Sequence, residues 1–234
     1  MLLYTELADW WPLLSPPSHY VEEAAALLPL LQPAAGQTLL ELGSGGGSLA
    51  FHLRKHFALT LTDVSPGMLA VNRAVNPGAE FFQGDMRTLR LDRVFDRVLI
   101  HDAVMYMTNE DDLRAALVTA RLHLKPGGRV VVLPDCVAET FEPETSHGGE
   151  DGADGRGLRY LEWSWDPDPD DTLSDVVYAL VLREAEGQVR TEQDHHVEGL
   201  FPRATWLRLF AEAGLDATIE RDTWRQDVFV ARRP

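Results

Sequence analysis

Leu39-Leu40-Glu41-Leu42 runs directly into Gly43-Ser44-Gly45-Gly46-Gly47, and a second apolar run, Leu59-Thr60-Leu61-Thr62, ends in Asp63. No other pair of features restricts the fold as much. An apolar stretch that stops at a carboxylate and turns through alternate glycines predicts a strand crossing into a helix. Glycine there lets bare backbone approach a ligand where a Cβ would clash. The later acid is placed to grip paired hydroxyls. Together they point to a ribose-bearing ligand at the carboxyl edge of a parallel sheet.

The rest of the chain keeps that rhythm as far as Pro134. Leu2, Leu3, Leu7, Trp10, Trp11 and Leu14 recur at helical spacing until Ser15-Pro16-Pro17, and an Ala/Leu-rich helix follows over 18–31. The first strand covers 37–42, with a helix over 46–56 behind it. Ser65-Pro66 caps and starts a helix that ends near Asn76-Pro77-Gly78. Residues 80–83 and 93–101 read as strands three and four. Thr108, with Asp111 three residues on, opens a helix to about Leu124, and Lys125-Pro126-Gly127-Gly128 turns into strand five at 129–133. Strands alternating with helices predict a parallel sheet covered on both faces.

Beyond Pro134 the pattern changes. Residues 135–157 read as loop, and 158–165, 173–183 and 189–197 as three consecutive antiparallel strands. A helix over 203–213 and closing strands over 215–221 and 226–232 complete the chain.

A formal charge of −16 with no Lys/Arg cluster speaks against nucleic acid as a partner. Ten of the acids fall within 142–171 against Arg156 and Arg159. They make either a solvated loop or a mouth whose field attracts a cationic substrate. No apolar run is long enough for a membrane span, and the opening segment lacks the basic head and cleavage site of a signal peptide. Cys136 is alone, so no internal disulfide forms, and the expected location is cytoplasmic. His195-His196 is too little for a metal site, so no metal is expected.

The dinucleotide fingerprint requires a glycine where Ser48 stands. What is present, Glu41-x-Gly43-x-Gly45-x-Gly47, resembles motif I of the class I S-adenosylmethionine (SAM) dependent methyltransferases. Asp63-Val64-Ser65-Pro66-Gly67-Met68-Leu69 resembles a further motif of that family, as do Gly84-Asp85-Met86 and the Leu124–Gly128 turn. The subgroup resembled is that of glycine, sarcosine and dTDP-amino-sugar N-methyltransferases. It implies a Rossmann-like, doubly wound, mostly parallel seven-stranded α/β sheet with its last strand antiparallel. A helical lid at 1–36, a core at 37–134, an antiparallel β cap at 135–200 and a C-terminal return to the core at 201–234 are expected.

The resemblance also implies roles. Gly43, Ser44, Gly45 and Gly47 receive the methionine moiety, with Glu41 near its ammonium. Asp63 and Val64 meet the ribose, Met68, Asp85 and Met86 the adenine, and Tyr20 and His101 complete the cofactor site. Tyr4, Tyr106, His195 and His196 are the candidates for facing the acceptor. Strand alternation sends His195 and His196 to opposite faces, so at most one reaches a cleft. The expected reaction is in-line methyl transfer to a small molecule at an amine nitrogen, with acceleration mainly from positioning. The alternatives are O-methylation and SAM binding without catalysis. A monomer or a homodimer is expected.

Overall fold

The computed structural model describes residues 1–221 and 227–234. In chain order, β1 (Thr38–Leu42), β2 (Ala58–Asp63), β3 (Glu80–Gln83), β4 (Phe95–His101) and β5 (Leu124–Leu133) build the core. Next come β6 (Glu144–Gly148), β7 (Gly157–Trp165), β8 (Leu173–Arg183) and β9 (Val189–Gly199), then β10 (Asp216–Arg221) and β11 (Asp227–Arg232). The main sheet has the order β10-β11-β5-β4-β1-β2-β3. Strands β1 to β5 pair in parallel, and β11 inserts antiparallel between β5 and β10. This is the expected seven-stranded, doubly wound sheet.

Both of its faces are covered. Leu113, Ala116, Leu117 and Ala120 of one helix (Glu110–Leu122) pack with Trp206, Leu209 and Phe210 of another (Arg203–Glu212) against Leu40, Val98 and Val130. On the opposite face, Ala24, Leu27 and Leu31 lie over Leu39, Leu61, Leu99 and Val131. Strands buried on both sides are mostly apolar, and in β1 only Thr38 and Glu41 depart from that. A third cluster joins Leu3, Leu7, Trp10 and Leu13 to Leu158, Leu180 and Leu182. The N-terminal segment is thereby wedged against the cap by the cap's own apolar positions.

Several boundaries differ from expectation for local reasons. Residues 2–14 form 3₁₀ turns at Leu2–Tyr4 and Ala8–Trp10 and a short helix, Trp11–Leu14, in place of one helix. The helix expected over 46–56 is confined to Ala50–Leu53, because Gly45 (φ 50) and Gly47 (φ 81) hold left-handed backbone just before it. Asn109, not Thr108, caps the later helix, its side chain accepting the Asp112 N–H at 2.9 Å. Ser65 caps its helix (Pro66–Val75) as expected. The 125–128 turn is absorbed into β5, where Phe95 pairs with Leu124 but Arg97 with Arg129. The cap has a fourth strand, β6, giving the order β6-β7-β8-β9. Its sequence, Glu-Thr-Ser-His-Gly, has no apolar alternation to reveal it. Gln226, expected to open the last strand, lies outside the described residues. Among the described residues no helix is long and apolar enough to cross a membrane.

Candidate active site

The carboxyl ends of β1, β2 and β4 open into a cleft of ≈ 860 Å³, roofed by the N-terminal segment and one face of the cap. The glycine loop forms its floor. Gly43 (φ 76), Gly45 and Gly47 all take left-handed backbone. Thr62 O accepts the Gly43 and Ser44 N–H groups at 2.9 and 2.8 Å. Beneath the loop, Asn72 donates to Gly45 O and Ser44 Oγ at 3.1 Å each, and Asn76 donates to Gly47 O at 2.9 Å. Both asparagines are buried, so these bonds fix the loop from below.

Asp63 accepts Gly45 N–H at 2.9 Å on one oxygen and Ser65 N–H at 2.8 Å on the other. Each oxygen keeps a second lone pair for a ligand hydroxyl. Burial raises the Asp63 carboxyl, and these N–H donors work against that rise. Glu41 is 2 % exposed, and its Oε2 has no hydrogen-bond partner among the described residues. Burial pushes it up to about 8, with His101 pulling the other way. A buried acceptor without a donor, next to a glycine floor, fits a cationic group such as a cofactor ammonium.

His101 is held between Glu23 and Asp102, the latter at 3.0 Å. Burial alone would lower it, but the flanking Asp102 and Glu23 carboxylates outweigh burial and lift it to about 10. These three residues bring ligand-type atoms together. Asp85 lines the cleft with both oxygens engaged by Arg87, whose pairing holds its carboxyl below the usual range.

At the other end, Tyr4, Tyr106, Tyr160, Glu162, Tyr178 and Glu198 face the same space. Glu162 pairs across the cap with Tyr178, whose hydroxyl donates to it at 3.1 Å. Burial pushes Glu198 up to about 8. Behind this wall runs a polar chain. Tyr4 Oη and Tyr106 Oη are 2.6 Å apart, Tyr106 Oη meets His196 Nδ1 at 2.9 Å, and His196 Nε2 meets Asp194 at 2.9 Å. Burial lowers His196, so the ring is neutral, and Asp194 is held as an anion. Nε2–H therefore donates to Asp194, Nδ1 accepts from Tyr106, and Tyr106 accepts from Tyr4. The Tyr4 oxygen is left with its lone pairs for a ligand.

Of the residues singled out in the sequence, Tyr4, Tyr20, Glu41, Gly43, Ser44, Gly45, Gly47, Asp63, Val64, Asp85, Met86, His101 and Tyr106 all line this one cleft. Three do not. Met68 is fully buried, its methyl 3.7 Å from where a Gly45 Cβ would sit, so it supports the loop from beneath. His195 lies on the outer face of the cap, exposed and bonded to Asp175 at 2.6 Å, as alternation requires. His196 is 1 % exposed and reaches the cleft only through Tyr106. Accordingly, His195→Gln is expected to shift stability by less than about 0.5 kcal/mol. His196→Gln, which breaks the buried chain, should cost about 1–3 kcal/mol in urea unfolding.

Sequence reasoning missed Trp11, Glu23, Asp102, Asp135, Tyr160, Glu162, Tyr178 and Glu198, which also line the cleft. The available signal was parity. Tyr160 and Glu162 share a face of β7, and cross-strand register places Tyr178 on that same face. Burial pushes the Cys136 thiol up to about 12.

Residues 39–128 match the family described as "Methyltransferase domain". The chain is 32 % identical over 200 residues to the dTDP-3-amino-3,4,6-trideoxy-alpha-D-glucopyranose N,N-dimethyltransferase of Streptomyces venezuelae, covering 84 % of this chain and 83 % of that one. The structure of Streptomyces venezuelae DesVI superposes with a TM-score of 0.86 at 27 % identity, covering 97 % of this chain and 98 % of that one. The sugar N-methyltransferase KedS8 from a Streptoalloteichus species gives a TM-score of 0.81 at 26 % identity, over 92 % and 87 %. With glycine loop, ribose-side acid and cap in the expected order, the chain belongs to the SAM-dependent methyltransferases, in their small-molecule N-methyltransferase subgroup.

Proposed function

We propose that this enzyme methylates the amine nitrogen of an amino sugar. The observation that carries the reading is the continuity of one cleft, with a glycine floor and an orphan carboxylate at one end and phenols and carboxylates at the other. The named relatives act on amino-sugar nitrogens, which favours nitrogen over oxygen. An open polar space beyond the cofactor end speaks against binding without catalysis.

SAM supplies a methyl group on a sulfonium, already activated for in-line attack by a lone pair. The chain's part is to bind, align and move a proton. Gly43, Ser44, Gly45 and Gly47 admit the methionine moiety, Glu41 faces its ammonium, and Tyr20 and His101 border it. Asp63 grips the ribose beside Val64, and Asp85 and the Met86 backbone meet the adenine. At the acceptor end, Tyr4 and Tyr106 orient the amine while His196 and Asp194 fix the Tyr106 hydroxyl. Above about 8, where Glu198 is ionised, its carboxylate takes a proton from an arriving ammonium and frees the nitrogen lone pair. Residues 1–36 act as the lid, 37–134 hold the cofactor, 135–200 shape the acceptor space and 201–234 complete the sheet.

Asp63→Ala removes a ribose acceptor and two loop restraints. It is expected to weaken S-adenosylhomocysteine binding by roughly 1–3 kcal/mol in calorimetry. Unchanged affinity in a folded variant would remove Asp63 from the cofactor site.

A further inference from the structure

Glu198 accepts a proton only above about 8, so an ammonium arriving at pH 7 must lose its proton by another route. The polar chain behind the acceptor wall is oriented for that task. Tyr4 lines the cleft and offers it lone pairs, while its own O–H donates to Tyr106 at 2.6 Å. Tyr106 donates to His196 Nδ1 at 2.9 Å, and His196 Nε2–H donates to Asp194 at 2.9 Å. Every donor points away from the cleft. An unbroken run of hydrogen bonds therefore leads from the open end at Tyr4 to a buried carboxylate.

The far end of this run can hold a proton. Asp194 is buried, accepts the Leu3 N–H at 2.8 Å as well as the His196 Nε2–H, and is held as an anion. An anion at Nε2 stabilises the imidazolium that forms when Nδ1 gains a proton. The rings of Tyr4, Tyr106 and Tyr178 close round the imidazole with centroids 5.5, 5.7 and 5.1 Å away. Burial lowers His196 most and Asp194 raises it. The Met1 ammonium, 3.9 Å from Asp194, and His195 lower it further, so the ring rests neutral with Nδ1 able to accept. Burial also raises both phenols, so neither rests as a phenolate, and each gains one proton as it gives up another.

Resting on the amine reading above, we propose that Tyr4, Tyr106 and His196 form a proton path that deprotonates an ammonium bound at the acceptor end. The ammonium N–H bond breaks and leaves its electron pair on nitrogen for the methyl transfer. That proton bonds to Tyr4 Oη, the Tyr4 proton passes to Tyr106 Oη, and the Tyr106 proton passes to His196 Nδ1. The path ends in an imidazolium held by Asp194, with one positive charge moved and none created. The ammonium's hold on its proton is weakened by the like charge of a sulfonium beside it, which favours this direction. Once the cleft empties, the same hops in reverse return the proton to water at Tyr4. His196 does not touch the acceptor. It sets the direction in which the two hydroxyls point, and it stores the proton.

The test follows kcat against pH for wild type, Tyr106→Phe and His196→Gln, with SAM and the dTDP-linked amino sugar named for the Streptomyces venezuelae relative. At pH 7 each variant is expected to lose more than about tenfold in kcat, with S-adenosylhomocysteine affinity within about threefold of wild type. The loss should shrink to less than about threefold by pH 9.5, where the amine arrives neutral and Glu198 is ionised. Combining the two substitutions should cost no more than the larger single loss, because both cut the same path. No loss at pH 7, a loss equal at both pH values, or losses that multiply in the double variant overturns the path and leaves amine methylation standing. A second readout needs neither turnover nor a variant. In protein labelled with 15N-histidine, the His196 ring, assigned through its contacts with Tyr106 and Tyr178, should be the neutral Nε2–H tautomer at pH 7. A proton on Nδ1 at that pH overturns the path. Protein that binds S-adenosylhomocysteine but does not methylate the amino sugar overturns the amine reading itself, and the proposal with it.

Discussion

Glu41→Gln is expected to stabilise the ligand-free protein at pH 8 by on the order of 3 kcal/mol, and at the same time to weaken binding of S-adenosylhomocysteine. The two effects have one origin. Burial lifts the Glu41 carboxyl from 4.5 to about 8, against the pull of His101 and with help from Asp63 and Glu23. The folded-state value is the higher one, so between these values the folded protein binds more protons than the unfolded chain. Stability from this group is therefore intact below 4.5, falls as pH rises and reaches its full deficit above about 8. Glutamine copies the neutral acid and does not ionise, so the stability difference between variant and wild type should be near zero at pH 4 and level off above pH 8. Urea unfolding of both proteins across that range measures it.

The ammonium of the cofactor reverses the sign. Binding at pH 7 should ionise Glu41 and release about one proton, visible as a dependence of calorimetric enthalpy on buffer ionisation. The variant should lose that release and about 1.5–3 kcal/mol of affinity. Equal stability of the two proteins at pH 8.5, or an unchanged proton count, would show that Glu41 is not the orphan acceptor described.

The contrast between the two ends of the cleft follows from how each is encoded. The residues expected at the cofactor end line one cleft because they sit within short runs at strand ends: Glu41 to Gly47, Asp63 to Ser65, Asp85 and Met86. Local backbone geometry places each group without help from distant sequence. The acceptor end is assembled from β7, β8, β9 and the N-terminal segment, and its composition depends on cross-strand register. Alternation sends His195 and His196 to opposite faces, and β9 obeys it, with His196 buried beside Asp194 and His195 exposed. Which face meets the core depends on Leu158, Leu180 and Leu182 docking on Trp10 and Leu13, a contact between segments far apart in the chain. Glu162 was indistinguishable from its solvated neighbours Asp151 and Asp154 for the same reason. Met68 was misplaced because a motif gives proximity to the glycine loop but not the side of it.

Gly47→Ala is expected to destabilise the protein by roughly 3–5 kcal/mol and to abolish measurable S-adenosylhomocysteine binding. Alanine at φ 81 is strained before any contact is considered. Its Cβ would also overlap the Asn72 carboxamide and lie 2.5 Å from Asn76 Nδ2. Neither asparagine has room to withdraw, since both are buried and bonded to each other at 2.9 Å. Displacing them frees the Gly45 and Gly47 carbonyls and Ser44 Oγ, so the floor of the cofactor end loses its anchors in one step. Gly46→Ala separates loop from lid. Gly46 has no left-handed strain, and its Cβ would meet the Trp11 ring, with Nε1 at 2.6 Å. That variant should keep the asparagine network, unfold near the wild-type urea midpoint and be cut faster than wild type within residues 1–20 by limited proteolysis. A Gly47→Ala protein with near wild-type stability and cofactor affinity would mean that Asn72 and Asn76 do not hold the loop.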